Sequence, residues 1–103
     1  MPLVSLKPVL REAKAKGYAV AAFNPVDYAS MKAMVKAAEE LKAPVIIQSS
    51  AKTIKYYGHK AMIGWMREIA DDSPVPVVLH LDHGKDVDMI KKCVEMGWTS
   101  VMI

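Results

Sequence analysis

The sequence predicts an α/β fold in which a parallel sheet is covered by helices. Apolar runs with few polar breaks recur along the chain, such as Val45-Ile46-Ile47 and Val75-Pro76-Val77-Val78-Leu79. Runs of this kind, rich in β-branched and aliphatic residues, mark strands buried on both faces. They alternate with amphipathic stretches of ten or more residues, which gives the order helix, then strand–helix three times, then strand. Right-handed crossovers of that order build a parallel sheet. The 103 residues, 52% hydrophobic and 24% charged, suit one globular domain with a modest core.

Each element has its own signal. Ser5 is placed to cap a first helix running to about Lys16, with Pro8 tolerated in the first turn and Gly17 as the stop. Tyr18 to Phe23 reads as a short strand ending at Asn24-Pro25. Asp27 opens a helix to about Lys42, with Met31, Met34, Val35, Ala38 and Leu41 on one face. Ala43-Pro44 breaks it, and Val45 to Gln48 is a second strand followed by Ser49-Ser50. Ala51 to Gly58 shows no clear period. His59 to Ala70 has helical spacing, with Met62, Ile63, Met66 and Ile69 as its inner face, and Asp71-Asp72-Ser73-Pro74 is a turn. A third strand spans Val77 to Asp82, a helix runs from Val87 to Met96 and stops at Gly97, and a fourth strand begins at Thr99.

Composition narrows the function. The net charge of +3 comes from 14 basic and 11 acidic residues mixed along the helices, without the basic stripe and interleaved aromatics of a nucleic-acid surface. No apolar run approaches the ~20 residues of a membrane span. The chain opens without a signal peptide, so the expected compartment is the cytoplasm. Cys93 is the single cysteine. It fits a reducing compartment and reads as a buried structural thiol rather than a nucleophile. The methionines Met31, Met34, Met62 and Met66 read as core filler, and His59 as a surface residue.

Chemistry concentrates at the end of the third strand, in Leu79-His80-Leu81-Asp82-His83-Gly84. Two imidazoles and a carboxylate at the end of an apolar run must be hydrogen-bonded, paired or metal-bound to be tolerated there. The C-terminal ends of parallel strands are also where ligands collect in α/β folds. Each residue has a plainer reading as well. His83 can be an ordinary hydrogen-bonded histidine, Asp82 can cap the turn into the next helix, and Ser50 can be a simple loop end. Asp86 already occupies the capping position before Val87, which favours a chemical role for Asp82.

Four segments together resemble the N-terminal portion of the class II, zinc-dependent fructose-bisphosphate aldolases. They are Leu3-Val4-Ser5-Leu6-Lys7, Ala22-Phe23-Asn24, Ala43-Pro44-Val45-Ile46-Ile47-Gln48-Ser49-Ser50, and Val77-Val78-Leu79-His80-Leu81-Asp82-His83-Gly84. The His-x-Asp-His segment is the specific one. The resemblance implies a (β/α)8 TIM barrel, with residues 1–103 as the N-terminal half of its single domain and no internal boundary. It implies a lyase that cleaves fructose 1,6-bisphosphate reversibly to dihydroxyacetone phosphate and glyceraldehyde 3-phosphate, a step of glycolysis and gluconeogenesis.

By the same resemblance His83 is a metal ligand, with Zn2+ or another divalent ion as cofactor, and Asp82 is the catalytic acid/base. Asn24 and Ser50 match substrate-binding positions, Ser50 toward a phosphate, while Gln48 and His80 are supporting residues. The partners implied are a sugar bisphosphate and, for the full-length protein, further copies of itself, with neither nucleic acid nor membrane. Tagatose-bisphosphate aldolases share these segments, so the sugar's stereochemistry stays open.

A catalytic zinc needs three protein ligands, and only His83 is matched here. The family's other metal histidines, glycine-rich phosphate loops and second carboxylate lie on later strands. The chain also stops inside a strand, which would leave sheet edges open. The expectation is therefore the first half of a larger enzyme, inactive alone. The competing readings are a small complete α/β domain and a non-catalytic half-barrel that assembles through its edges.

Overall fold

A computed structural model describes residues 2–103. Its four strands, β1 (Ala21–Phe23), β2 (Val45–Ser50), β3 (Val77–Asp82) and β4 (Ser100–Val101), form one parallel sheet in the order β1-β2-β3-β4. The helices are α1 (Leu6–Lys16), α2 (Tyr28–Glu40), α3 (Ala51–Tyr57), α4 (His59–Asp71) and α5 (Val87–Met96).

Alternation along the strands sorts their side chains onto two faces. Val45, Ile47, Val77, Leu79 and Leu81 point into the main core, against Met31 and Val35 of α2, Ile54 of α3, Met62, Ile63 and Met66 of α4, and Met89 and Cys93 of α5. On the opposite face only the N-terminal ends of the strands are covered. There Ile46 and Val78 pack against Val9 of α1, with Val4, Leu6 and Val20 around them. A backbone bond from Val4 N to Val77 O (2.9 Å) ties the approach to α1 to β3. Beyond Ile46 and Val78 that face turns polar.

β3 spans Val77–Asp82 as the sequence predicts, but the other three strands differ in length from that reading because pairing, not propensity, sets their ends. β1 begins at Ala21 rather than Tyr18, since Ala21 pairs with Val45 and the preceding Pro44 has no N–H for a ladder. β2 runs on to Ser50 because β3 offers partners up to Asp82. β4 is limited to Ser100–Val101 and does not span Thr99 to Ile103. Its partner strand ends at Asp82, and the chain turns at His83 with φ 53°.

Other expectations need correction. The stretch from Ala51 holds a helix, α3: the Ser50 hydroxyl accepts from Thr53 N (3.2 Å), Ile54 is fully buried, and Gly58 at φ 93° ends it. Ser5 occupies the N-cap position of α1 but its side chain makes no capping bond. Leu41 is 79% exposed rather than on the inner face of α2. The helix ends at Glu40, and Lys42 at φ 52° swings the chain away before Leu41 can turn inward. His59 is not a free surface residue, since its ring packs edge-on against Trp98 (centroids 5.6 Å apart) and its Nε2 is buried. The methionines behave as expected, with Met31, Met62 and Met66 fully buried and Met34 packed on the core. Among the described residues, no helix is long and apolar enough to cross a membrane.

Candidate functional site

The register of the sheet assembles the site. On the face left open beyond Ile46 and Val78, Gln48 pairs with His80 and His80 with Ser100, so one level of the sheet carries a polar residue on three adjacent strands. Asn24, one step past the Phe23–Ile47 pair, extends the level past the end of β1. Its carboxamide oxygen accepts from Gln48 Nε2 (3.0 Å), and its Nδ2 approaches the Gln48 carbonyl at 3.5 Å. At the other end His80 Nδ1 lies 2.7 Å from Ser100 Oγ. One level further toward the C-terminal ends, Ser50 pairs with Asp82. His83 comes next in the chain.

All six candidate residues therefore collect at one end of the sheet. Asn24, Gln48, Ser50, His80 and Asp82 share the open face by strand alternation. Their surroundings differ. His80 is buried, and desolvation lowers its affinity for a proton while the Asp82 charge partly offsets that effect. The Asp82 side chain is 19% exposed and that of His83 is 69% exposed. Their closest approach, His83 Nε2 to Asp82 Oδ2, is 3.6 Å. That is too long for a hydrogen bond. The two groups stand side by side without consuming each other.

The turn that presents them is built by Gly84 and Asp86. His83 takes a left-handed backbone conformation (φ 53°), one that histidine enters more readily than most residues. Gly84 N then donates to Met102 O (3.0 Å), pinning the turn to the end of β4. A Cβ at Gly84 would run into that same Met102 carbonyl and lie 2.9 Å from Ile90 Cγ1, so no larger residue fits without moving backbone. Asp86 caps α5 by accepting from Met89 N (2.7 Å). Capping thus falls to Asp86, and Asp82 is free of it.

Ser50 is shared between roles. Besides the Thr53 amide, its hydroxyl contacts Thr53 Oγ1 at 3.1 Å, so it serves as the N-cap of α3 while standing beside Asp82. A hydroxyl retains a second lone pair for another partner. Behind the sheet, Trp98 Nε1 donates to Ser49 Oγ (2.8 Å), and Ser49 Oγ approaches the His80 carbonyl at 3.3 Å. Thr99 Oγ1 accepts from Leu79 N at 3.0 Å. These bonds brace the middle of β3 from the side away from the site. Cys93 is buried, and desolvation pushes its thiol up to about 11, which leaves it an inert core residue.

Sequence reading assigned no role to Ser100, Thr99, Trp98 or Tyr57. The Tyr57 hydroxyl donates to Val26 O (2.9 Å) and ties α3 to the loop after Asn24. The signal for Ser100 was its place in a fourth parallel strand, which puts it beside His80 once the register is known. The other three depend on contacts between distant segments that no local pattern encodes.

As metal ligands, the residues present offer one well-suited donor. No hydrogen bond to another described residue occupies the His83 ring nitrogens. Among the described residues no group of three or more His, Cys, Asp or Glu is placed to hold a metal ion. The donor chemistry suits zinc, but any further ligands must come from outside these residues.

Comparison with known proteins agrees with this architecture. Residues 4–103 match the family model of class-II fructose-bisphosphate aldolase. The chain is 42% identical over 101 residues to a fructose-bisphosphate aldolase of Thermus caldophilus, covering 98% of this chain and 33% of that protein. It is also 42% identical over 106 residues to a 6-phospho-5-dehydro-2-deoxy-D-gluconate aldolase of Halalkalibacterium halodurans, covering all of this chain and 37% of that protein. The crystal structure of the YdjI aldolase from Escherichia coli K12 superposes with a TM-score of 0.90 at 30% identity, over 98% of this chain and 40% of that one. The chain thus spans about a third of the length of the curated relatives it matches. With four parallel strands in the order of a barrel's first half, and with a family match over nearly its whole length, the chain belongs to the class II fructose-bisphosphate aldolase family.

Proposed function

We propose that this chain is the N-terminal half of a single-domain (β/α)8 aldolase, and that the complete protein cleaves a ketose bisphosphate reversibly by a retro-aldol reaction. The supporting observation is the placement of Asp82 and His83 side by side, 3.6 Å apart, at the C-terminal end of the sheet's open face. Fructose 1,6-bisphosphate is the substrate we favour, with dihydroxyacetone phosphate and glyceraldehyde 3-phosphate as products, in glycolysis or gluconeogenesis in the cytoplasm. The relatives include one named for a deoxygluconate phosphate, so sugar phosphates are the broader class they support.

His83 would supply one imidazole to a divalent cation, zinc first, with the remaining ligands coming from strands beyond residue 103. The bound ion would act as a Lewis acid on the substrate's ketone, drawing off the charge that develops as the C3–C4 bond breaks. Asp82, next to it and free of capping duty, would take the proton from the C4 hydroxyl during cleavage and return it during condensation. Asn24 and Gln48, locked to each other by hydrogen bonds, would present a rigid amide surface to the sugar. The Ser50 hydroxyl would contribute to holding a phosphate. With the remaining strands missing, the 103 residues alone would lack turnover.

The test is a pair of substitutions in the complete enzyme. His83→Ala should lower zinc content and activity together. Asp82→Ala should keep the metal but cut kcat by about 100-fold or more with a smaller effect on KM, as expected for a general acid/base. Metal retained at full occupancy with full turnover in His83→Ala would remove the ligand assignment. A change confined to KM in Asp82→Ala would remove the acid/base role.

A further inference from the structure

One contact on the open face of the sheet has no part in that scheme. His80 is only 9% exposed, and its Nδ1 sits 2.7 Å from Ser100 Oγ, on the residue directly across the ladder in β4. A buried ring nitrogen without a partner is costly, and the Ser100 hydroxyl meets that need at Nδ1. The other nitrogen, Nε2, bonds to no described residue. Yet it is not sealed from solvent, for His59 Nε2 is the sole buried side-chain atom without a partner among the described residues. The free edge of the His80 ring therefore opens onto the unfilled side of the sheet. The next residue on that face is Asp82.

Two arrangements of protons satisfy the 2.7 Å contact. In one, Nδ1–H donates to the serine and Nε2 carries a lone pair. In the other, the Ser100 hydroxyl donates to Nδ1 and the proton resides on Nε2. Burial favours the neutral ring in either case. In both, the single contact at Nδ1 anchors the ring and decides what Nε2 presents.

We propose that Ser100 is a positioning residue for the aldol chemistry: its hydroxyl bonds to Nδ1 of His80 and so fixes the ring in one orientation and one tautomer on the open face that also carries Asp82. Ser100 acts on the reaction only through His80, and the inference rests on the reading of Asp82 as the acid/base group. Which ring nitrogen carries the proton is set by the hydrogen bond made at the other. Removing the hydroxyl lets the ring rotate and exchange tautomers.

The experiment uses the complete enzyme labelled with 15N-histidine. Long-range 1H–15N correlation should show His80 as a single neutral tautomer in the native protein. Ser100→Ala should give a mixture of tautomers and lower kcat by about 10-fold, as loss of an outer partner typically does, with KM changed by less than about twofold. Ser100→Thr, which keeps the hydroxyl, should restore both the tautomer and the rate. A native spectrum with mixed tautomers overturns the inference, as does Ser100→Ala with kcat within about twofold of native. Should Ser100→Ala fail to fold, the native spectrum alone decides. Asp82→Ala separates the two levels: turnover surviving that change removes the acid/base reading itself. If turnover is lost there while Ser100→Ala is silent, only the role of Ser100 falls.

Discussion

At the level of single side chains, the site depends on how a short turn holds two neighbours without letting them bond. His83 accepts a left-handed backbone, and the Gly84 amide pins the turn to the Met102 carbonyl. Gly84→Ala pushes a methyl group into that carbonyl and against Ile90. Backbone cannot yield as a flexible side chain can, so the complete enzyme should lose about 1–3 kcal/mol of stability, read as a lower denaturation midpoint. Since the displaced segment carries His83, zinc affinity should fall by about 10-fold or more, measured by competition with a chelator. A variant that binds zinc as tightly as the native protein would show that the turn tolerates the shift. The motif itself was legible in the sequence, because Asp82 and His83 come directly after an apolar run. The reason for its glycine was not, since the backbone carbonyl that excludes a larger residue is that of Met102, just past β4.

Among elements, caps and pairing limits decided where the sequence could be read. Asp86 before α5 is a local signal, and the structure gives it the expected bond to Met89 N. Asp86→Ala should cost about 1 kcal/mol, the usual loss on removing an N-cap. A shift of the urea midpoint without a change in slope would be the matching result, and an unchanged midpoint would show that the first turn of α5 is held by other contacts. The helix α3 was hidden for a related reason. Its sequence, Ala51-Lys52-Thr53-Ile54-Lys55-Tyr56-Tyr57, mixes β-branched and aromatic residues of low helix propensity and buries only Ile54 fully. Tertiary contacts stabilise it instead: the Tyr57 ring lies 5.1 Å from that of Trp65, and its hydroxyl reaches Val26 O. The start of β1, the end of β2 and the short span of β4 were equally invisible, because each depends on how far a neighbour runs, whereas both ends of β3 matched the reading. The apolar centres of β2 and β3, which depend on composition alone, matched the reading.

The molecule as a whole is a half-barrel with one finished face and one open one. Helices α2 to α5 bury the outer side of the sheet, whereas α1 covers the inner side only at its N-terminal end. The inner polar level from Asn24 to Ser100 lies beyond the apolar cover that α1 gives Ile46 and Val78. The three residues of β1 are all exposed, and Val101, Met102 and Ile103 are 36%, 40% and 98% exposed. An edge of unpaired backbone groups flanked by apolar side chains is a template for further strands, and the curated relatives run to about three times this chain's length. The proposed division of the site sets the expected behaviour. Purified alone, residues 1–103 should bind zinc weakly and show no measurable cleavage of fructose 1,6-bisphosphate, because one imidazole cannot replace three protein ligands. Co-expressed with a polypeptide carrying the remaining strands of the same protein, they should recover stoichiometric zinc and turnover that His83→Ala abolishes. Cleavage by the chain alone at the rate of the complete enzyme would contradict the division of the site between the two halves. Zinc-free self-association that rises with concentration, with no activity gained on adding the other half, would instead support a half-barrel that assembles through its own edges.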